Sequence, residues 1–194
     1  MQTEGVASMR RRFPLLQVAG ILIAISGACA AQTRSVNPQP PGFDDFTQRV
    51  QDYLKLRKAL PNERTSKRQE QIVDRRLTLA AAIREARSAA KQGDIFTPQS
   101  SERFVTVIRG TLKGSSNAAS VRKTIRQGEP VAGVHLTVNG AYPERLPRTT
   151  VPPTLLLRLP RLPDKLAYRI VGRDFVLQDS EARLVIDFIP GALP

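Results

Sequence analysis

Three short runs near the C-terminus constrain the fold more than any other part of the chain: Leu166-Ala-Tyr-Arg-Ile-Val171, Asp174-Phe-Val-Leu-Gln-Asp179 and Leu184-Val-Ile-Asp-Phe-Ile189. Each is rich in β-branched and aromatic residues, and they are separated by Gly172-Arg173 and by Ser180-Glu181-Ala182-Arg183. This is the pattern of a three-strand antiparallel β-meander, with glycine in the first central position of a type II′ turn. Centring the first turn on Gly172-Arg173 sets Ile170 opposite Phe175 and Tyr168 opposite Leu177. Centring the second on Glu181-Ala182 sets Leu177 opposite Ile186 and Phe175 opposite Phe188. Both registers then agree on one apolar face carrying Tyr168, Ile170, Phe175, Leu177, Leu184, Ile186 and Phe188. The other face carries Arg169, Asp174, Gln178 and Asp187, with Val176 half-exposed between Arg169 and Asp187, and a slip of one residue would destroy the separation.

The N-terminus has the form of an export signal. Arg10-Arg11-Arg12 precedes an apolar run over 15–25, and Ala28-Cys29-Ala30 offers a small-x-small cleavage site before Ala31. The apolar run is too short to span a bilayer, so no retained transmembrane helix is expected. Cleavage predicts a periplasmic or secreted protein; the alternative is a lipoprotein carrying lipid on Cys29. Met9 also serves as a possible start, and residues 10–13 partly match a twin-arginine signal. Cys29 is the only cysteine, so the mature chain would hold no disulfide and no cysteine-ligated metal. Its 164 residues are enough to bury about 70% of the unfolded surface without such staples.

Residues 31–42, with Pro38, Pro40 and Pro41, read as a proline-rich tether. From Phe43 the period becomes helical. Phe43, Phe46, Val50, Tyr53 and Leu54 form one stripe, and Pro61 ends it. A second helix is expected over 65–92, with the stripe Ile72, Leu79, Ile83, Ala86 and Ala90 and Gly93 as its cap. The short connection folds the two back as an antiparallel helical hairpin. Thr97 and Pro98 open a third helix bearing Phe104, Ile108 and Leu112, and a short fourth is expected over 118–127. Beyond Gly128, Val134, Leu136 and Val138 alternate as a strand leading into an Asn139-Gly140 turn, and the proline-rich stretch 143–163 leads to the meander. The fold class expected is α+β, with a helical region over 43–128 packed in one domain with a β-containing region over 129–194.

Tyr168-Arg-Ile-Val-Gly-Arg-Asp-Phe-Val-Leu-Gln-Asp179, with Arg183-Leu-Val-Ile-Asp-Phe-Ile189 behind it, resembles the C-terminal hairpin of small exported bacterial proteins of uncharacterised function. Asn139-Gly-Ala-Tyr-Pro143 and Val151-Pro-Pro-Thr-Leu-Leu156 belong to the same resemblance. A more distant one is to the periplasmic nickel/cobalt-homeostasis family, which ends in a similar Tyr-Arg, Gly-Asp, Val-Leu pattern. The first resemblance implies export and a small α+β fold, and it brings no catalytic residues with it.

Chemistry is hard to assemble from the remaining residues. His135 is the only histidine, and no serine or cysteine accompanies it in sequence. No nucleophile elbow, zinc helix or phosphate-binding glycine loop occurs. Asp174, Asp179, Glu181 and Asp187 cluster in sequence, and paired carboxylates are the one acid-base device available; an Arg169–Asp187 pair across the sheet is the structural alternative. No cofactor and no metal site is expected. The formal net charge is +13, and losing residues 1–30 lowers it to +11. Such charge favours anionic partners, and it also serves as a solvated surface. Nucleic acid is not an expected partner, because the chain has no Trp and its few Tyr and Phe residues are needed for apolar faces. Arg75, Arg76, Arg84 and Arg87 on the second helix are the candidate binding residues. Two functions therefore stand: a non-enzymatic exported module that binds an anionic envelope component or a protein partner, and a carboxylate-based hydrolase of cell-wall material.

Overall fold

The last third of the chain forms strands β1 (Leu166–Val171), β2 (Asp174–Asp179) and β3 (Leu184–Ile189), an antiparallel sheet in the order β1-β2-β3. The computed structural model describes residues 40–60, 69–114, 134–143 and 151–194, all within the compact unit Asn37–Pro194. The expected signal peptide, nearly all of the tether, the short helix over 118–127 and the start of the lead-in to the meander lie outside the described residues. Helices α1 (Asp44–Ala59), α2 (Gln69–Ala86), α3 (Pro98–Gly114) and α4 (Pro153–Leu156) complete an α+β architecture. No described helix is long and apolar enough to cross a membrane.

Local chemistry explains where the helices lie. Asp44 and Asp45 occupy the first turn of α1 and Arg57 and Lys58 its last, each complementing the helix dipole. Leu60 is extended (φ −76°, ψ 152°), as a residue before proline prefers, and α1 stops there. The Thr97 hydroxyl accepts the Ser100 N–H and caps α3, which opens on Pro98. Helix α2 ends sooner than its alanine content suggests. It gives way to a turn after Ala86, and Gly93 takes the left-handed region (φ 91°). Its buried stripe is also narrower than expected: Leu79, Ala80 and Ile83 are buried, whereas Ile72 is 46% exposed. Arg57 and Arg75 both reach Glu181, while Arg49 donates to the Asp94 carbonyl beyond α2, so α1 and α2 run antiparallel.

The first hairpin has the expected register, with Ile170 opposite Phe175 and Tyr168 opposite Leu177. Gly172 has φ 58° and Arg173 does not share a positive φ, as a type II′ turn requires. The second hairpin departs from expectation. Beside the turn, Asp179 pairs with Leu184 and Gln178 with Val185, but a β-bulge at Leu177/Gln178 then shifts the ladder. Leu177 consequently faces Asp187, Val176 faces Phe188 and Phe175 faces Ile189. A bulge sets two residues of one strand against one of the other and lets successive side chains leave on the same side. Ile186 enters the main core and Asp187 is fully buried, while Phe188 is carried to the opposite face beside Val176. The expected single apolar face is thus corrected at Phe188, and the expected Arg169–Asp187 pair does not form.

The helical side of the sheet is held by aromatic rings. Phe43, Phe46, Phe96 and Phe104 pack with Tyr168 and Phe175 at centroid separations of 4.7–6.3 Å, several edge-to-face. Such pairs add about 0.5–1.5 kcal/mol each beyond simple burial. The other side of the sheet is apolar too. Val171, Val176 and Val185 are buried there under Tyr142, Val134 and Leu136. Residues 134–138 nevertheless form no strand: the turn at Asn139 (φ 60°) carries the chain along β3, where Ala141 bridges Leu184. That turn needs glycine at position 140, because a Cβ there would lie 2.3 Å from Thr137 Oγ1.

Candidate functional site

The meander carboxylates, the one acid-base device in the sequence, are drawn into the fold. Asp179, at the end of β2, is fully buried. One of its oxygens accepts the Tyr53 hydroxyl (2.8 Å) and Arg57 Nε (2.7 Å), and the other accepts the backbone N–H groups of Glu181 and Ala182. Burial, and then the charge of Asp179, push the Tyr53 hydroxyl well above its ordinary pKa. Asp187 is equally buried and accepts the N–H groups of Gly93, Ile95, Phe96 and Phe188 at 2.8–3.2 Å. It fastens the α2–α3 connection to β3. Asp174 accepts the Gly191 N–H at 2.9 Å.

Glu181, in the turn between β2 and β3, is partly exposed (23%), unlike Asp179 and Asp187. Arg57 Nη2, Arg75 Nη2 (2.6 Å) and Lys165 Nζ (3.3 Å) all bind it. Burial opposes its charge, but the hydrogen bonds and charges of Arg57 and Lys165 outweigh that and hold its pKa below the ordinary range. Burial likewise opposes the charge of Arg57, and Asp179 and Glu181 more than compensate, so its pKa is raised.

Between α2 and the 180–183 turn lies a pocket of about 270 Å³, lined by Ile72, Val73, Arg75, Arg76, Ser180, Glu181 and Arg183. Arg183 adopts a left-handed conformation (φ 52°) in that turn. Behind the lining, Arg57 and Lys165 bind Glu181, and Arg57 also binds the buried Asp179. Among the described residues the lining itself carries three arginines and one carboxylate, set on a concave surface rather than a flat helix face.

No family model, curated protein or solved structure matches this chain. The site is therefore read from its own geometry.

The four arginines singled out on sequence separate into two pairs. Arg75 and Arg76 line the pocket. Arg84 Nε donates to the Asn139 carbonyl, and Arg87 Nη1 donates to Asn139 Oδ1 (2.9 Å) and to the Ile186 carbonyl (3.2 Å). Arg87 also lies 5.3 Å over the Tyr53 ring. Burial lowers its pKa despite the opposing effect of Tyr53, Asp187 and Asp94. This second pair, Arg84 on α2 and Arg87 in the turn just after it, staples the end of α2 to the 137–140 turn. The sequence reading missed Arg57, Lys165 and Arg183 as partners of the site. Arg57 carried a legible signal: it continues the Phe46, Val50, Tyr53 stripe one turn further, and all four are buried. A charge on an apolar stripe implies a buried partner. His135 is exposed, and no group of three or more His, Cys, Asp or Glu residues among the described residues is placed to hold a metal ion.

Proposed function

We propose that this chain is an exported, basic, non-enzymatic module that binds a phosphate-type anionic group of an envelope component in the pocket between α2 and the 180–183 turn. The observation that carries the reading is that Arg75, Arg76 and Arg183 line one concavity together with Glu181, which Arg57 and Lys165 also bind. Arginine suits such a role because its planar donors bind phosphate and carboxylate oxygens in pairs. The competing hydrolase reading needs two accessible carboxylates facing one another across a cleft. Asp179 and Asp187 are both fully buried, and each is occupied by several donors, which favours the binding role. Export rests on the signal-like residues 10–31 of the sequence.

The test compares the mature protein with the double variant Arg76→Gln/Arg183→Asn; asparagine is chosen because it tolerates a left-handed backbone. Anionic phospholipid vesicles and phosphate-rich wall fragments are offered separately, which distinguishes a lipid headgroup from a wall polymer. The wild type is expected to be retained at low salt and released as salt rises, with the double variant retained several-fold less. Equal retention of both proteins on both materials at low salt would overturn the site. Export is checked by fractionating cells that make a C-terminally tagged protein: an N-terminus at Ala31 outside the cytoplasm is expected, and one at Met1 or Met9 inside it would refute export.

A further inference from the structure

A second concavity lies on the far side of the sheet's first strand. The order β1-β2-β3 leaves two edges, and that of β3 is partly covered by the 139–142 segment. Asn139 N–H donates to the Val185 carbonyl, Val185 N–H to Gly140 and Tyr142 N–H to Arg183, at 2.7–2.9 Å. Among the described residues β1 pairs with β2 alone. The two-residue turn closes on the Val171–Asp174 pair, and antiparallel alternation then points the main-chain groups of Ile170 and Tyr168 away from β2. The Tyr168 carbonyl bears this out, since it accepts a hydrogen bond from the Arg169 guanidinium rather than from the ladder.

This edge borders a groove of about 510 Å³ whose opposite wall is α4 and the chain after it. Leu156 is 44% exposed and Leu157 83% exposed on that wall, two of the four large apolar side chains exposed among the described residues. Arg161 and Arg169 complete the lining at its rim. Strand alternation puts Arg169, whose Nε donates to Gln178 Oε1 at 3.0 Å, on the face opposite Tyr168 and Ile170, so one side of any strand laid along β1 meets apolar residues and the other meets this cation.

We propose that this groove binds an extended peptide segment of a partner protein, added to the sheet as a fourth strand along β1, with apolar and acidic side chains in alternation. Main-chain hydrogen bonds to the β1 edge would supply affinity, and the leucine wall and the two arginines would select the alternate side chains. Charge complementarity favours this occupant over a second copy of the chain. Two copies paired antiparallel through the middle of β1 would set Arg169 near its own copy, and like charges across a ladder are destabilising.

The experiment uses the mature protein and a fluorescein-labelled pool of hexapeptides in which Val, Ile or Leu alternates with Asp or Glu, read by fluorescence anisotropy. Two control pools replace the acidic residues with Lys or N-methylate the backbone amides of alternate residues. Binding of the acidic pool is expected, with each control weaker by about tenfold or more, roughly the 1.4 kcal/mol that a factor of ten represents. Leu157→Asp is expected to weaken binding to a similar extent without moving the urea midpoint, because the side chain is 83% exposed. Arg76→Gln, in the separate cationic pocket, should leave peptide binding unchanged, so failure here is distinguishable from failure of the phosphate site. Absence of binding by every acidic peptide, or equal binding by the N-methylated pool, would overturn the proposal. So would a dimer in sedimentation that Leu157→Asp dissolves, or a vesicle retention that depends on Leu157.

Discussion

Replacing Asp187 with Asn tests the least expected feature of the fold. The carboxylate is fully buried; one oxygen accepts Ile95 N–H at 2.9 Å and Phe96 N–H at 2.8 Å, and the other accepts Phe188 N–H at 2.8 Å. Gly93 N–H is shared between them at 3.0 and 3.2 Å. An asparagine of the same shape keeps one acceptor and converts the other into an N–H₂ group. If the amide nitrogen faces Ile95 and Phe96, two buried donors point at a third donor. If it is flipped, Phe188 loses its acceptor, while Gly93 keeps the longer of its two bonds. One amide is orphaned in the flipped form and two in the other, at about 1–3 kcal/mol each, so the loss should be at least about 1–3 kcal/mol. A domain of ordinary stability holds only about 5–15 kcal/mol in all. Equilibrium urea unfolding measures the loss, and hydrogen exchange at Ile95 and Phe96 locates it. Asp164→Asn, at an exposed position, is the control. A loss for Asp187→Asn below about 1 kcal/mol, or equal to the control, would refute the claim that this carboxylate anchors the α2–α3 connection.

Phe175→Ala should cost about 3–5 kcal/mol in the same assay, since the ring is fully buried against the rings of Phe96, Phe104 in α3 and Tyr168 in β1. Val176→Thr should cost about 1–3 kcal/mol, because Val176 is also fully buried and its new hydroxyl would enter an apolar cluster; near-neutrality would contradict the covered outer face. The pKa of Glu181 is lowered from 4.5, so its ion pairs stabilise the fold above that value and are lost as pH falls through the folded-state pKa. Glu181→Gln should therefore be less stable than wild type at pH 7, by about 1 kcal/mol after allowance for solvent screening, and the two should converge in acid. A gap undiminished below pH 4.5 would sink that account.

Local chemistry determined much of this molecule. The three strands and the type II′ turn follow from residue order, and so do the dipole-matched ends of α1, the Thr97 cap of α3 and the stop before Pro61; each depends on neighbours within a few positions. The main core was legible for the same reason, as apolar residues at helical and strand spacing reported Phe46, Phe104, Tyr168 and Phe175. Only tertiary packing decided the rest. The bulge at Leu177/Gln178 lies within a run whose alternation looks regular, and it makes sense once the amides of Gly93, Ile95 and Phe96 are brought to Asp187 from more than 90 residues away. With Phe188 turned outward, Val176 and Val185 gain a cover from 134–142, a segment whose placement no local pattern specifies. The arginines divide in the same manner. Sequence places four cations along one helix, but whether a guanidinium meets Glu181 or Asn139 depends on which distant turn the fold sets against it, because a long charged side chain is directed by its partner rather than by its own position in the chain.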